Sequence, residues 1–223
     1  MIVVLYRGIR RFWEPCIQNQ HEFIYENFGS DVVYGMHFWD KQYERLTNRV
    51  IGETPKELPI FFRGKKVKHT LSECEICEEF DGSQESKSCF YPCILGIKYA
   101  YKNALDLYPD MDYNQTIVIL RTDSLIQYKF HEHDKPCVGV WNIKDRENPE
   151  IPELADVCII TKKWVLDKLL MINKEEMLEI TKNCKNPETY IHKLFSYITN
   201  NQIYLDTNMH TGVLRSNHIS HCS

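Results

Sequence analysis

Ile2-Val3-Val4-Leu5-Tyr6, followed at once by Arg7-Gly8-Ile9-Arg10-Arg11, opens the chain. No polar residue interrupts the first five positions, so they read as a strand covered on both faces, as inside a parallel sheet. Glu14 to Asn27 then places Ile17, Phe23 and Ile24, with Phe28 just beyond, at helical spacing, and Gly29 stands in the C-cap region. Asp31-Val32-Val33-Tyr34-Gly35-Met36-His37-Phe38-Trp39 is a second strand. Strand, helix, strand is the unit that closes by a right-handed crossover into a parallel pair, and the expected fold class is therefore α/β.

Outward from this unit the pattern continues. Between Asp40 and Gln84 the signal weakens: Leu58 to Arg63 is strand-like, and residues 64–87, with their acidic, cysteine-bearing stretch, read as a loop or insertion. Ser88 to Leu107 predicts a long helix with Pro92 in its first turn. Thr116-Ile117-Val118-Ile119-Leu120 is the clearest buried strand, and Arg121-Thr122-Asp123-Ser124 follows its carboxyl end, where open α/β sheets gather their ligands. Val138 to Trp141 and Val157 to Thr161 predict further strands. Lys162 to Asn173, Lys174 to Thr181 and Glu188 to Asn200 predict helices. Ile203-Tyr204-Leu205 is expected to close the sheet, and the tail from Ser216 to fray. The expectation is one domain over residues 1–223, a mostly parallel sheet flanked by helices.

Composition narrows the function classes. The 223 residues are 43% hydrophobic and 26% charged, enough for one core, and no apolar run is long enough to span a membrane. With 27 Lys and Arg against 31 Asp and Glu, the net charge of −4 offers no basic field for nucleic acid. Nine cysteines, an odd number in a chain too long to need a disulfide framework, predict reduced thiols and hence a cytoplasmic setting.

The opening strand with Gly8-Ile9-Arg10-Arg11-Phe12, the strand ending Phe38-Trp39-Asp40, the long helix, and Ile119-Leu120-Arg121-Thr122-Asp123 form an ordered series. Ala155-Asp156-Val157-Cys158-Ile159-Ile160-Thr161, Asn186-Pro187-Glu188 and the late Arg215 continue it. This series resembles small glycosyltransferases of GT-A type, found in bacterial surface-polysaccharide loci and large DNA viruses. The resemblance implies a Rossmann-like nucleotide-sugar-binding fold and a hexosyl- or pentosyltransferase dependent on Mn²⁺ or Mg²⁺. Its partners would be a nucleoside diphosphate sugar and a glycan acceptor. Only Arg121-Thr122-Asp123 stands where many such enzymes carry Asp-x-Asp.

Breaking an anomeric C–O bond leaves negative charge on the departing diphosphate, which a hard cation or arginines must meet. Asp123 is suited to hold the ion, with His210 as a further ligand; the bland alternatives are a turn acid or helix N-cap, and a surface histidine. Arg7, Gly8, Arg10 and Arg121, with Arg215, are the candidate donor-binding residues, against an ordinary basic turn and ion pairs. Glu188 is the expected general base if transfer inverts configuration, with Asp156 the competing base or an acceptor ligand, although a Glu in a first helical turn is also simply favourable with the helix dipole. Cys74-x-x-Cys77 with Cys89-x-x-x-Cys93 is compatible with a four-thiolate Zn²⁺ site, the alternative being reduced thiols. His131-Glu132-His133-Asp134 reads as a solvated loop. The rival classes are a catalytically inactive scaffold on the same fold and a zinc-stabilised interaction module.

Overall fold

The computed structural model describes residues 1–8, 13–43, 50–75, 77, 79, 84–131, 134–141, 154–184, 187–206 and 209–213. Arg10, Arg215, Glu132, His133 and the tail from Ser216 lie outside them, as do the side chains of Cys89 and His210.

β1 (Ile2–Gly8) is buried along nearly its whole length, as its unbroken apolar run predicts. It pairs in parallel with β2 (Val32–Trp39) across α1 (Trp13–Phe28), and β2 pairs in parallel with β5 (Lys66–Ser72) at the sheet edge. Between β2 and β5 the chain makes a bulged hairpin, β3 (Lys41–Tyr43) with β4 (Val50–Glu53), and a 3₁₀ turn at Ile60–Phe62. On the other side of β1 lies β6 (Thr116–Arg121), also parallel. The seven-stranded order is completed by β9 (Leu154–Lys162), β8 (Cys137–Trp141) and β10 (Ile203–Asp206). Only β9 runs against its neighbours β6 and β8. The α/β class and mostly parallel sheet are as expected.

Alternation along the strands sends side chains to two cores. Val4, Tyr6, Met36 and Phe38 meet α1, where Trp13 packs among Tyr6, Phe38 and Phe62 with ring centroids 5.0–5.2 Å apart. Val3, Leu5, Ile117 and Ile119 face α2 (Gln84–Leu107), α3 (Lys163–Met171), α4 (Lys174–Ile180) and α5 (Pro187–Thr199). Gly35 lets α2 lie directly on β2: a Cβ there would meet the Ala100 carbonyl at 2.2 Å and the Ala104 methyl at 2.8 Å.

Three local expectations need correcting. Leu58–Arg63 is not a strand, because Pro59 precedes the tight turn that drives Phe62 into the aromatic core. The strand comes one step later, inside the span 64–87 read as a loop or insertion. Lys66 and Lys68 mark β5 as a charged edge strand, a pattern too polar to advertise a buried one. Helix α2 begins before Ser88, at Gln84, so Pro92 sits in its interior instead of its first turn.

Candidate active site

The strand order reverses at β1. The chain first builds outward through β2 to β5, then returns by α2 to place β6 on the opposite side of β1. Open α/β sheets bind ligands in the crevice at such a switch point, which here falls at the carboxyl ends of β1 and β6. Arg7 and Gly8 end β1, and Arg7 is in register with Arg121 at the end of β6. Gly8 takes φ of +97°, a turn that side chains with a Cβ resist, and no atom lies within 4 Å of where its Cβ would be. Because β9 is inverted, its amino end arrives here too and delivers Asp156.

These residues form one charge cluster. Arg121 grips Asp123 bidentately, Nε donating to Oδ1 at 3.0 Å and Nη2 to Oδ2 at 2.9 Å. Its Nη1 donates to Asp156 Oδ1 at 3.0 Å and lies 3.3 Å from Oδ2. Arg7 Nη2 donates to Asp156 Oδ2 at 3.2 Å and to the Asp156 carbonyl. The side chains are 5% exposed for Arg7, 3% for Asp123, 18% for Asp156 and 24% for Arg121, so the cluster opens to solvent only at Arg121 and Asp156. Burial alone would raise the Asp156 carboxyl, but the guanidinium groups of Arg121 and Arg7 outweigh it and hold Asp156 well below the usual carboxylate range. Burial likewise opposes the Arg121 charge, and the two carboxylates reverse that, so Arg121 remains a cation.

Helix α1 fixes the turn between β6 and β7 (Ser124–Gln127). Gln20 Nε2 donates to the Arg121 carbonyl at 2.9 Å and the Ser124 carbonyl at 2.7 Å, while Ser124 Oγ donates to the Arg121 carbonyl at 2.8 Å. Cys16, one turn earlier on α1, has its thiol pushed up to about 12 by burial and then by the Asp123 charge. Beside Arg7 on the neighbouring strand, His37 is buried between Thr70 Oγ1, 2.8 Å from Nδ1, and Ser72 Oγ, 3.2 Å from Nε2. Desolvation lowers its pKa to about 4, so the ring is neutral at pH 7. Gln20 and His37 were not singled out in the sequence. Gln20 falls on the apolar face of α1 set by Cys16, Ile17, Phe23 and Ile24, and a polar residue there was the available signal.

Not every expected residue joins the cluster. Glu188 is half-buried in the first turn of α5, which precedes the parallel strand β10 and so directs its amino end toward the same carboxyl edge of the sheet. His210 begins β11 (His210–Val213) opposite Gln127, whereas Val213 lies opposite Ser124. That register sets the His210 backbone three residues, about 10 Å, along the two-stranded β7–β11 ribbon from the Asp123 end. Among the described residues no three His, Cys, Asp or Glu side chains gather to hold a metal. Asp123 and Asp156 do not fit a divalent ion as they stand, since each of their carboxylate oxygens already faces a guanidinium nitrogen. Cys74 is half-buried, and Cys77 and Cys93 are buried.

No family model matches this sequence, and no curated protein resembles it significantly. Among solved structures it is similar to the galactosyltransferase LgtC, crystallised with donor and acceptor sugar analogs. The TM-score is 0.48 at 10% identity, over 87% of this chain and 70% of that one. It is also similar to the glycosyltransferase GlyE of Streptococcus pneumoniae TIGR4, with TM-score 0.39 at 8% identity, over 92% of this chain and 45% of GlyE.

Proposed function

We propose that the chain is a GT-A-type glycosyltransferase that moves a hexosyl or pentosyl unit from a nucleoside diphosphate sugar to a hydroxyl of a glycan or other acceptor. The observation that carries this reading is the Arg7–Asp156–Arg121–Asp123 cluster in the crevice where the strand order reverses. As the anomeric C–O bond breaks, charge builds on the leaving diphosphate, and Arg121 and Arg7 are fixed cations in a partly water-excluded site. Preorganisation is supplied by the Gln20 clamp on the β6–β7 turn and by the carboxylates that hold Arg121 in one orientation. Gly8 leaves the backbone at the end of β1 open to close approach. Arg10 and Arg215 are proposed as further donor-binding residues.

The acceptor hydroxyl must lose its proton. Asp156 is a poor base, because both oxygens accept from arginines and its affinity for a proton is depressed. Glu188 is the proposed base, entering from the amino end of α5. Among the described residues no helix is long and apolar enough to cross a membrane. The buried Cys16, Cys77, Cys137, Cys158 and Cys184 fit a reducing compartment, proposed as cytoplasm.

One observation favours a second reading, a sugar-nucleotide-binding scaffold without turnover: the carboxylates of the cluster are fully engaged. A thermal-shift panel of nucleotide sugars tests the first step. A ligand at 100 times its dissociation constant adds about 2.7 kcal/mol, which for a domain of this size raises Tm by roughly 5–11 °C. Absence of any shift across the panel refutes both readings; a shift without transfer or hydrolysis selects the scaffold.

A further inference from the structure

We infer that the crevice binds a diphosphate without a divalent cation, because Arg121 holds the place between Asp123 and Asp156 that an ion would need. The inference rests on the nucleotide-sugar reading above. A divalent ion such as Mg²⁺ or Ca²⁺ must approach carboxylate oxygens to about 2.0–2.6 Å. Here Arg121 Nε and Nη2 lie 3.0 and 2.9 Å from the two oxygens of Asp123, and Nη1 lies 3.0 Å from Asp156 Oδ1. The remaining oxygen, Asp156 Oδ2, faces Arg7 Nη2 at 3.2 Å. An incoming dication would have to displace a paired guanidinium and then share its carboxylates with the same positive charge a few ångströms away. Arg121 would have to give up four hydrogen bonds to the two carboxylates to yield, and its backbone is fixed by Gln20 Nε2 and Ser124 Oγ donating to its carbonyl.

The geometry also leaves the arginines donors to spare. A guanidinium carries five N–H groups in a fixed fork. The two carboxylates take the Nε N–H of Arg121, its Nη1 through bonds to both Asp156 oxygens, and one N–H of Nη2, which leaves Nη2 a second N–H uncommitted among the described residues, and this side chain is the most exposed of the four. Arg7 Nε is buried and has no hydrogen-bond partner among the described residues. A buried donor left unsatisfied is costly unless a ligand supplies the acceptor, and a phosphate oxygen is the acceptor guanidinium groups match best. A diphosphate brings such oxygens; a metal ion brings none.

Calorimetry on the full chain tests this with Mn²⁺ alone, inorganic pyrophosphate, and uridine and guanosine diphosphates, each nucleotide titrated in excess chelator and again in Mn²⁺. The expected result is no binding of Mn²⁺ alone, and a nucleoside diphosphate affinity equal within twofold in the two conditions. Arg121→Gln is expected to weaken that affinity at least tenfold in chelator, with Arg121→Lys, which keeps the charge but not the fork, intermediate. The comparison on the unmodified chain needs no variant to fold. Binding tightened tenfold or more by Mn²⁺, or present only with it, overturns the inference while leaving the nucleotide-sugar reading standing. Binding of no diphosphate in either condition overturns both.

Discussion

Replacing Arg121 with Met keeps most of the side-chain volume and removes the charge that two acids share. Asp123, 3% exposed, loses both of its guanidinium hydrogen bonds, and Asp156, 18% exposed, keeps only Arg7. Breaking a buried pair by removing one partner typically costs about 3–5 kcal/mol, because the stranded carboxylate remains desolvated. For a chain of this length that is a fall in Tm of roughly 6–20 °C. The pH dependence carries the sharper test. In the unmodified protein the depressed Asp156 pKa contributes stability that is fully present above its unfolded value near 3.8 and is lost as pH falls through the folded value. That protein therefore keeps this contribution at pH 4.5. In Arg121→Met the Asp156 carboxyl is no longer held ionised by that guanidinium, and burial favours its protonation as the pH falls. Urea unfolding followed by circular dichroism at pH 7 and pH 4.5 is thus expected to show a large deficit at pH 7 that shrinks toward pH 4.5. A deficit below about 1 kcal/mol at pH 7, or one that does not change with pH, refutes the assignment of these contacts as a partly buried, mutually dependent cluster.

Glu188→Gln is expected to lower the transfer rate by about 10²- to 10⁴-fold while changing stability by no more than about 1 kcal/mol; undiminished turnover removes Glu188 from the mechanism. Gly35→Ala is expected to cost about 1–3 kcal/mol or more by chemical denaturation, since its methyl would lie 2.2 Å from the Ala100 carbonyl; an unchanged urea midpoint refutes the close approach of α2. His37, lowered by burial to about 4, stays neutral in the folded state while the unfolded ring titrates near 6.5. Stability is therefore expected to fall as pH drops from 6.5 toward 4, by up to about 1.4 kcal/mol per pH unit, and His37→Asn to flatten that slope in urea midpoints measured from pH 7 to pH 5.

The residues that announced the fold were those whose burial needs no partner to be inferred. Ile2–Tyr6 and Thr116–Leu120 are apolar without interruption because both sheet faces are covered, and a pattern of that kind is legible one strand at a time. Lys66–Ser72 was not, because an edge strand alternates lysines with a few apolar residues and its pairing with β2 is decided by distant chain. The inverted direction of β9 was equally hidden: Ala155–Thr161 looks the same whichever way it runs, and only its pairing with Leu120 through Thr116 reveals it. For the candidate site, Arg7, Arg121, Asp123 and Asp156 were visible as charged residues near strand ends, and Gly8 as a glycine beside them. Their charge pairing was not, since hydrogen bonding between residues 149 positions apart is a property of topology. The register that carries His210 away from Asp123 is another consequence of tertiary pairing that the local sequence does not encode.

The same topology orders events during synthesis. β1 is made before the strands it pairs with, its second edge has no partner until β6 is made, and the Arg7–Asp156 contact waits for β9. At about 5–20 residues per second that interval of 149 positions lasts about 7–30 s. Until β6 is made the apolar run of β1 is paired on one side only, with β2. Closing so long a loop is entropically slow, so the Arg7–Asp156 contact forms after β1, β2, β5 and β6 have been made. A chain truncated before Leu154 therefore retains the β1–α1–β2 unit and lacks Asp156 altogether. With β9 missing, β6 would then stand as an exposed apolar edge, and such chains would be the ones that chaperones hold and proteases clear.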